Sequence, residues 1–247
     1  MLIKVDLHNH TTFSFDGEMN PRRFIERYTE LGFGAVAVTD HNTRLGALAI
    51  RELDPPFKVI VGCEVSTQYG EIIGLFLEKD IKKKMHPLDA AKAIHDAGGI
   101  TLLPHPFLGI PTAMKREILP QLLPHIDIVE GLNARGPEPA KDFDSYLWGR
   151  YHGLAISGGS DAHSASGAGS GYVLMEDFDG PQDFLEKLRR GTIVTRRREM
   201  LYRSAMNLVY GKTYGWLRVQ NMIRKHKAGA PLRELWDKNK RARDKYW

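Results

Sequence analysis

Cysteine is almost missing from these 247 residues: Cys63 stands alone, so the chain can form no disulfide with itself. No run of roughly 18 apolar residues occurs, which excludes a hydrophobic helix long enough to span a bilayer. The start goes directly from a short apolar run into polar residues, without the h-region and cleavage site of a secretory leader. Together these absences predict a cytoplasmic, reducing setting and no membrane span. Internal repeats and low-complexity tracts are also missing, which excludes solenoids and disordered linkers as the main architecture.

What is present fits a soluble α/β protein. The hydrophobic fraction is 42% and the charged fraction 26%, ordinary for a globular chain. The length allows one large domain, or one domain with an appendage. The net charge of +5 is unevenly spread: from Arg196 to Trp247 there are 15 Lys/Arg against 4 Asp/Glu. A mildly acidic body therefore carries a strongly basic tail. An acidic body suits a carboxylate-rich metal site, and a basic tail suits a polyanionic partner.

The most informative stretch is Asp6-Leu7-His8-Asn9-His10, directly after the apolar run Leu2-Ile3-Lys4-Val5. In extended backbone, side chains at i and i+2 point the same way. His8 and His10 then project together from a strand end, as two imidazoles gripping one cation would. Two ordinary loop histidines would look the same. Asp6 shares that face and could ligate a metal or orient a ring.

Further along, apolar runs alternate with helical patterns. Strands are predicted over 2–7, 35–39, 58–63, 72–77, 100–103, 126–129, 154–157, 171–175 and 192–195. Helices are predicted over 20–31, 44–53, 87–97 and 181–189. The first helix opens on Asn20-Pro21 and carries Phe24, Ile25, Tyr28 and Leu31 as an apolar stripe. Such alternation points to a parallel sheet or barrel. In parallel α/β proteins the active site lies at the carboxyl ends of the strands. Here those ends carry His41, Glu64, His105, Asp161 and His163. Together with His8 and His10, metal-ligand residue types are thus predicted to converge on one rim.

Five motifs in order then make a specific match. They are Asp6-Leu7-His8-Asn9-His10 with Ser14 and Asp16; Thr39-Asp40-His41-Asn42; Gly62-Cys63-Glu64-Val65-Ser66; Pro104-His105-Pro106; and Gly159-Ser160-Asp161-Ala162-His163. On these motifs, over about residues 1–195, the chain resembles the polymerase-and-histidinol-phosphatase (PHP) family. The resemblance implies a distorted (β/α)7 PHP-type barrel over 1–195, followed by a basic helical C-terminal appendage over 196–247. It implies two or three divalent metal ions (zinc, manganese or iron) and phosphoester hydrolysis. Carried over by motif, His8 and His10 resemble ligands of a first metal completed by Glu64 and Asp161. Glu64 would bridge to a second metal that also takes His105. His41 and His163 resemble ligands of a third, with Asp16 where relatives often place a histidine. One departure stands out: many members have a histidine in the fourth strand, and this chain has none. Glu71 is the nearest replacement, although it also reads as a solvated glutamate at a strand start.

The expected chemistry is hydrolysis of a phosphomonoester, nucleotide or oligonucleotide end by a metal-bridging hydroxide. Asp16 or His163 would protonate the leaving group. Arg135, just past a strand end, suits a phosphate clamp, as does Arg44; each reads equally as a surface ion pair. Gly158-Gly159-Ser160 permits close backbone approach, or is simply a tight turn. Cys63 should pack inward as a small apolar group. His86, His95, His125, His152 and His226 fall outside the motifs. The tail carries apolar residues such as Leu208, Trp216 and Trp236, which predict helices with a basic face for a polyanion. The contrasting functional class is a non-catalytic metal-binding scaffold. Amide or ester hydrolysis by similar metals is a third.

Overall fold

The computed structural model describes residues 1–136 and 139–195. The expected helical appendage at 196–247 lies outside the described residues.

Among the described residues ten strands and six α-helices follow one another. The first half holds β1 (Leu2–Asp6), α1 (Pro21–Glu30), β2 (Ala35–Val38), α2 (Leu45–Glu52), β3 (Lys58–Val61), β4 (Cys63–Ser66) and β5 (Glu71–Leu75). Then come α3 (Pro87–Asp96), β6 (Ile100–Leu103), the one-turn α4 (Leu119–Leu122), β7 (Ile128–Asn133), α5 (Pro139–Tyr151) and β8 (Ala155–Gly159). β9 (Gly171–Glu176), α6 (Gly180–Leu188) and β10 (Thr192–Thr195) complete the order. As the sequence suggested, Asn20 caps α1 by accepting from Arg23 N at 3.0 Å, with Pro21 in the first turn.

The strands form two mixed five-stranded sheets, ordered β10-β9-β1-β2-β3 and β4-β5-β6-β7-β8. This corrects two expectations. The (β/α)7 barrel is not confirmed, because no continuous ladder closes the two sheets into one ring among the described residues. Nor are the sheets purely parallel: β1 and β10 pair antiparallel with β9, and β5 pairs antiparallel with both β4 and β6. The β4–β5 connection is a tight turn in which Thr67 N donates to Gly70 O at 2.9 Å. So short a link cannot make the crossover that a parallel pair needs.

The predicted strand 58–63 is two strands, broken at Gly62. A Cβ there would lie 2.9 Å from Thr39 Cγ2 and 3.1 Å from two carbonyl oxygens. Only glycine allows that approach, and it lets the chain leave one sheet and start the other. The two sheets touch at single bridges, Asn9 with Ala162 and His41 with Glu64.

Period-2 alternation explains the packing. Ile3, Val5, Leu7, Ala35 and Ala37 from one sheet meet Ile73, Leu75, Leu102 and Ile128 from the other in a shared core. Val36 and Val38, on the opposite face, pack against Phe24 and Tyr28 of α1. Ile72 and Leu103 pack outward with Ile94 of α3 and Leu122 of α4. Helix α5, absent from the sequence reading, offers no clear apolar stripe. It lies against β7 with Asp142 and Ser145 buried, and Asp142 Oδ1 accepts from Asn133 N at 3.0 Å.

Candidate metal centre

Each candidate ligand reaches the same rim by a local device. His8 and His10 follow β1, and both are fully buried. His41 follows β2, His105 follows β6, and Asp161 and His163 follow β8. Glu64 lies within β4. Glu71 arrives by a different route: β5 runs antiparallel to its neighbours, so its first residue lies where theirs end. Two ligand positions hold left-handed backbone, His105 at φ 33 and Asp161 at φ 48. Such conformations cost about 1–3 kcal/mol in non-glycine residues and persist only when tied down. The His105 amide donates to Glu130 Oε2 at 2.9 Å, and the Asp161 amide donates to His8 O at 2.8 Å.

All nine sequence-derived ligand candidates come together. His8 Nε2 stands 3.4 Å from Glu64 Oε2 and 3.7 Å from Asp161 Oδ1. His10 Nε2 stands 3.3 and 3.5 Å from the same two oxygens. His105 Nε2 is 3.2 Å from Glu64 Oε1 and 4.0 Å from Glu71 Oε2. His41 Nδ1 is 3.3 Å from Glu64 Oε2 and 3.5 Å from Glu71 Oε1. Asp16 Oδ2 lies 3.0 Å from His163 Nε2 and 3.8 Å from His41 Nε2. Four sets within this cluster have ligand atoms mutually within 4.8 Å: His8-His10-Asp161, His8-Glu64-His105, His41-Glu64-Glu71 and His10-Asp16-His41-His163.

The donor set fits divalent cations. Ligand atoms about 2.1 Å from a tetrahedral zinc lie about 3.4 Å from one another, which is the spacing around His8, His10, Glu64 and Asp161. The imidazole tautomers agree. His8 Nδ1 donates to Glu130 Oε1 at 3.0 Å, so Nε2 is the nitrogen that would give its lone pair to an ion. Ser14 Oγ donates to Asp40 Oδ1 at 2.9 Å and accepts from His41 N, so it accepts from His10 Nδ1 at 3.1 Å. That too leaves Nε2 as the open donor. His8 Nε2, His10 Nε2, His105 Nδ1 and Asp16 Oδ1 are buried without a hydrogen-bond partner. Orphaned atoms of this kind need an explanation, and an ion supplies one for those that face the cluster.

Electrostatics run the same way. Burial alone would push His8 toward its neutral form, but Asp161, Glu130 and Glu64 hold its pKa well above the ordinary histidine value. Burial likewise opposes protonation of His10, and the carboxylates of Asp161 and Glu64 that face its Nε2 overcome it, lifting His10 to about 9. Glu64 and Asp161 would be raised by burial, yet the surrounding histidines hold both below the usual carboxylate range. Glu71 is pushed up to about 7 by burial and by the charge of Glu64. Without cations, the site keeps its negative charge only by holding protons in their place.

Arg135 is brought to the cluster. Its Nη1 donates to His163 Nε2 at 2.8 Å and lies 3.6 Å from Asp161 Oδ1. Arg44 is not: it pairs with Asp80 at 2.8 Å and donates to Leu77 O at 3.0 Å. Asp6 neither ligates nor orients a ring. It accepts from Ser160 N and Tyr28 Oη, each at 2.9 Å, and so braces the ends of β1 and β8. Cys63 packs inward as expected, and burial pushes its thiol up to about 12. His95 lies on α3 and pairs with Asp127 at 2.9 Å, away from the cluster.

Sequence reasoning missed the roles of Glu130 and Asn133. Glu130 accepts from His8, from the His105 amide and from Asn133 Nδ2 at 3.0 Å, and Asn133 Nδ2 also reaches Asp161 Oδ2 at 3.2 Å. The available signal was a glutamate closing the apolar run Ile128-Val129, a place where an unpaired charge would be costly.

The model of the PHP domain matches residues 6–119, and that of the PHP-associated family matches residues 146–193. The chain is 33% identical over 146 residues to the uncharacterized protein MJ1587 of Methanocaldococcus jannaschii, covering 54% of this chain and 85% of that protein. It is 30% identical over 110 residues to a 5'-3' exoribonuclease of Haemophilus influenzae, covering 41% of this chain and 39% of that protein. A solved two-domain protein of Bacteroides vulgatus, described as containing a predicted PHP-like metal-dependent phosphoesterase, shares the fold. The TM-score is 0.65 at 19% identity, over 79% of this chain and 65% of that one.

Proposed function

Because the chain belongs to the PHP family, we propose that it is a metal-dependent phosphoesterase acting on a nucleotide or on the end of an oligonucleotide. The observation that carries this reading is the set of buried imidazole nitrogens, without hydrogen bonds, facing carboxylate oxygens 3.3–3.7 Å away. In this reading His8, His10, Glu64 and Asp161 hold a first divalent ion. Glu64, His105 and Glu71 hold a second, and Asp16, His41 and His163 a third. Zinc, manganese and iron suit such a mixed nitrogen and oxygen set better than calcium does. Ions in such sites provide hydroxide near neutral pH and neutralise charge on phosphoryl oxygens.

The chain's own residues do the remaining work. Arg135 offers its guanidinium to a phosphoryl oxygen beside Asp161 and His163. When only the first two ions are bound, Asp16 and His163 at the open edge of the cluster carry no metal, and from this pair the leaving oxygen takes its proton. Glu130 and Ser14 hold the rings of His8 and His10 in the tautomer that aims Nε2 inward. The basic composition of segment 196–247 suits contact with a polyanion. The relative named an exoribonuclease supports a nucleic-acid end as substrate.

The test is metal content measured together with hydrolysis of a panel of phosphomonoesters, nucleotides and 5'-phosphorylated oligonucleotides, with zinc, manganese or iron supplied. The expected result is two or three metals per chain and hydrolysis abolished by a chelator and by Asp161→Ala. Full metal loading with no hydrolysis of any phosphoester would overturn it in favour of a non-catalytic scaffold. Cleavage of amides or carboxylic esters alone would move the chain to another hydrolase class.

A further inference from the structure

Phe15 sits between two residues that turn into the metal cluster, and it turns the other way. Ser14 Oγ bonds His10 and Asp40, and Asp16 Oδ2 reaches His163 at 3.0 Å. The Phe15 ring between them is 90% exposed. One face lies on the imidazole of His41, with centroids 5.2 Å apart and planes 20° from parallel. A large aromatic side chain left this exposed forgoes the burial that normally places it inside. It stands at the edge of a charged, carboxylate-rich cluster, where packing gives no reason for it.

The loop that carries it is firmly built. Ser14 N donates to Thr11 O at 2.9 Å, and Glu18 N donates to His163 O at 2.8 Å. Thr11 N and Oγ1 both donate to Asp40, at 2.7 and 2.8 Å. A Cβ on Gly17 would lie 2.0 Å from Thr11 O, so the turn closes too tightly for any other residue. The backbone beneath the ring is thus fixed before any ligand arrives, and His41 backs one face of the ring. An exposed flat aromatic surface beside a phosphate-binding centre is what a nucleobase stacks on.

We infer that Phe15, backed by His41, forms a base-stacking subsite that selects nucleotide-class phosphoesters over sugar or aliphatic ones. This rests on the phosphoesterase reading and adds the part of the substrate that is not phosphate. The base lies on the outer face of Phe15 while the phosphate occupies the centre that His41 borders. Stacking is indifferent to base identity, since every base has a π-face, so the subsite selects nucleotides as a class.

The experiment compares two non-hydrolysable ligands on the full-length, manganese-loaded chain: the 5'-phosphonate analogues of adenosine monophosphate and of ribose 5-phosphate. They differ only in the base. Dissociation constants are measured by calorimetry for the wild type, Phe15→Ala and Phe15→Trp. The wild type is expected to bind the adenosine compound about ten- to a hundredfold more tightly, and Phe15→Ala to lose most of that ratio. Phe15→Trp should keep it, with indole fluorescence quenched by the adenosine compound and not by the ribose compound. Equal binding of the two ligands by the wild type would overturn the inference, as would an unchanged ratio in Phe15→Ala. Either result leaves phosphate binding itself intact. Failure of both ligands to bind, with no phosphoester hydrolysed, would overturn the phosphoesterase reading and this subsite with it.

Discussion

Glu130 Oε1 lies 3.0 Å from Nδ1 of His8, both side chains being almost wholly buried. This contact fixes the orientation of the His8 ring, so the carboxylate would act on the proposed metal centre without entering it. Partners of this kind typically contribute 10- to 100-fold in metal affinity. Glu130→Ala is therefore expected to weaken binding of the first ion by about that factor, read by metal titration. Glu130→Gln should also weaken it, because its amide nitrogen cannot accept any of the three hydrogen bonds that Glu130 receives. Unaltered affinity in both variants would show that the ring is held by its packing alone.

Glu71 brings a second carboxylate to the centre that it shares with Glu64. Oxygen ligands favour harder ions such as manganese, and imidazole favours zinc. Glu71→His is expected to raise the zinc-to-manganese ratio retained from an equimolar mixture, measured by elemental analysis. Glu71→Ala should lower occupancy of one ion and leave the other bound. Identical metal content in all three proteins would remove Glu71 from the ligand set.

Tyr28 joins α1 to the site through its hydroxyl, which donates to Asp6 and lies against Asn9 and Ser160. Tyr28→Phe leaves buried acceptors short of a partner and should cost about 1–3 kcal/mol in unfolding free energy. Metal stoichiometry should survive, because Tyr28 touches none of the proposed ligands. Urea denaturation of the metal-loaded chain checks the first expectation, and elemental analysis the second.

Metal uptake should release protons. In the cation-free cluster His10 is lifted to about 9, so it holds a proton at pH 7, and the neighbouring carboxylates raise His8 and His105 as well. An incoming ion must displace bound protons. Apparent metal affinity should therefore rise with pH through neutrality and level off above the raised values. Calorimetry in buffers of different ionisation enthalpy should count about one or more protons released per chain. Release of none would mean that the rings are already neutral.

The positions of the candidate ligands were legible because strand ends are legible: an apolar run followed abruptly by histidine or a carboxylate leaves little else to read. What was not legible depended on direction and on glycine. The run Lys58-Val59-Ile60-Val61-Gly62-Cys63 looks continuous, and nothing in its hydrophobicity marks Gly62 as the place where one sheet stops. Glu71 read equally as a replacement ligand and as a solvated strand-start glutamate, because strand order alone does not tell that β5 runs backwards. Glu130 and Asn133 were visible as polar residues after an apolar run. Their partners lie 122 and 28 positions away in the chain, at His8 and Asp161, and only folding brings them into contact. Helix α5 escaped notice because it buries serine and aspartate rather than an apolar stripe.

The two bridges that join the sheets, Asn9 with Ala162 and His41 with Glu64, flank the proposed ion-binding residues. Each junction has few main-chain bonds of its own. Bound cations would therefore act as rivets across a seam, drawing side chains of both sheets onto common centres. Stripping the metals would leave single protons in their place, which tie one imidazole to one carboxylate where an ion gathers several ligands, and so lower the cost of parting the seam. The protein would then breathe along this edge while the interleaved core of Ile3, Val5, Ile73 and Leu102 stayed shut. Amide exchange at His10 and Asp161, whose N–H groups span one junction, would be the gauge of that opening.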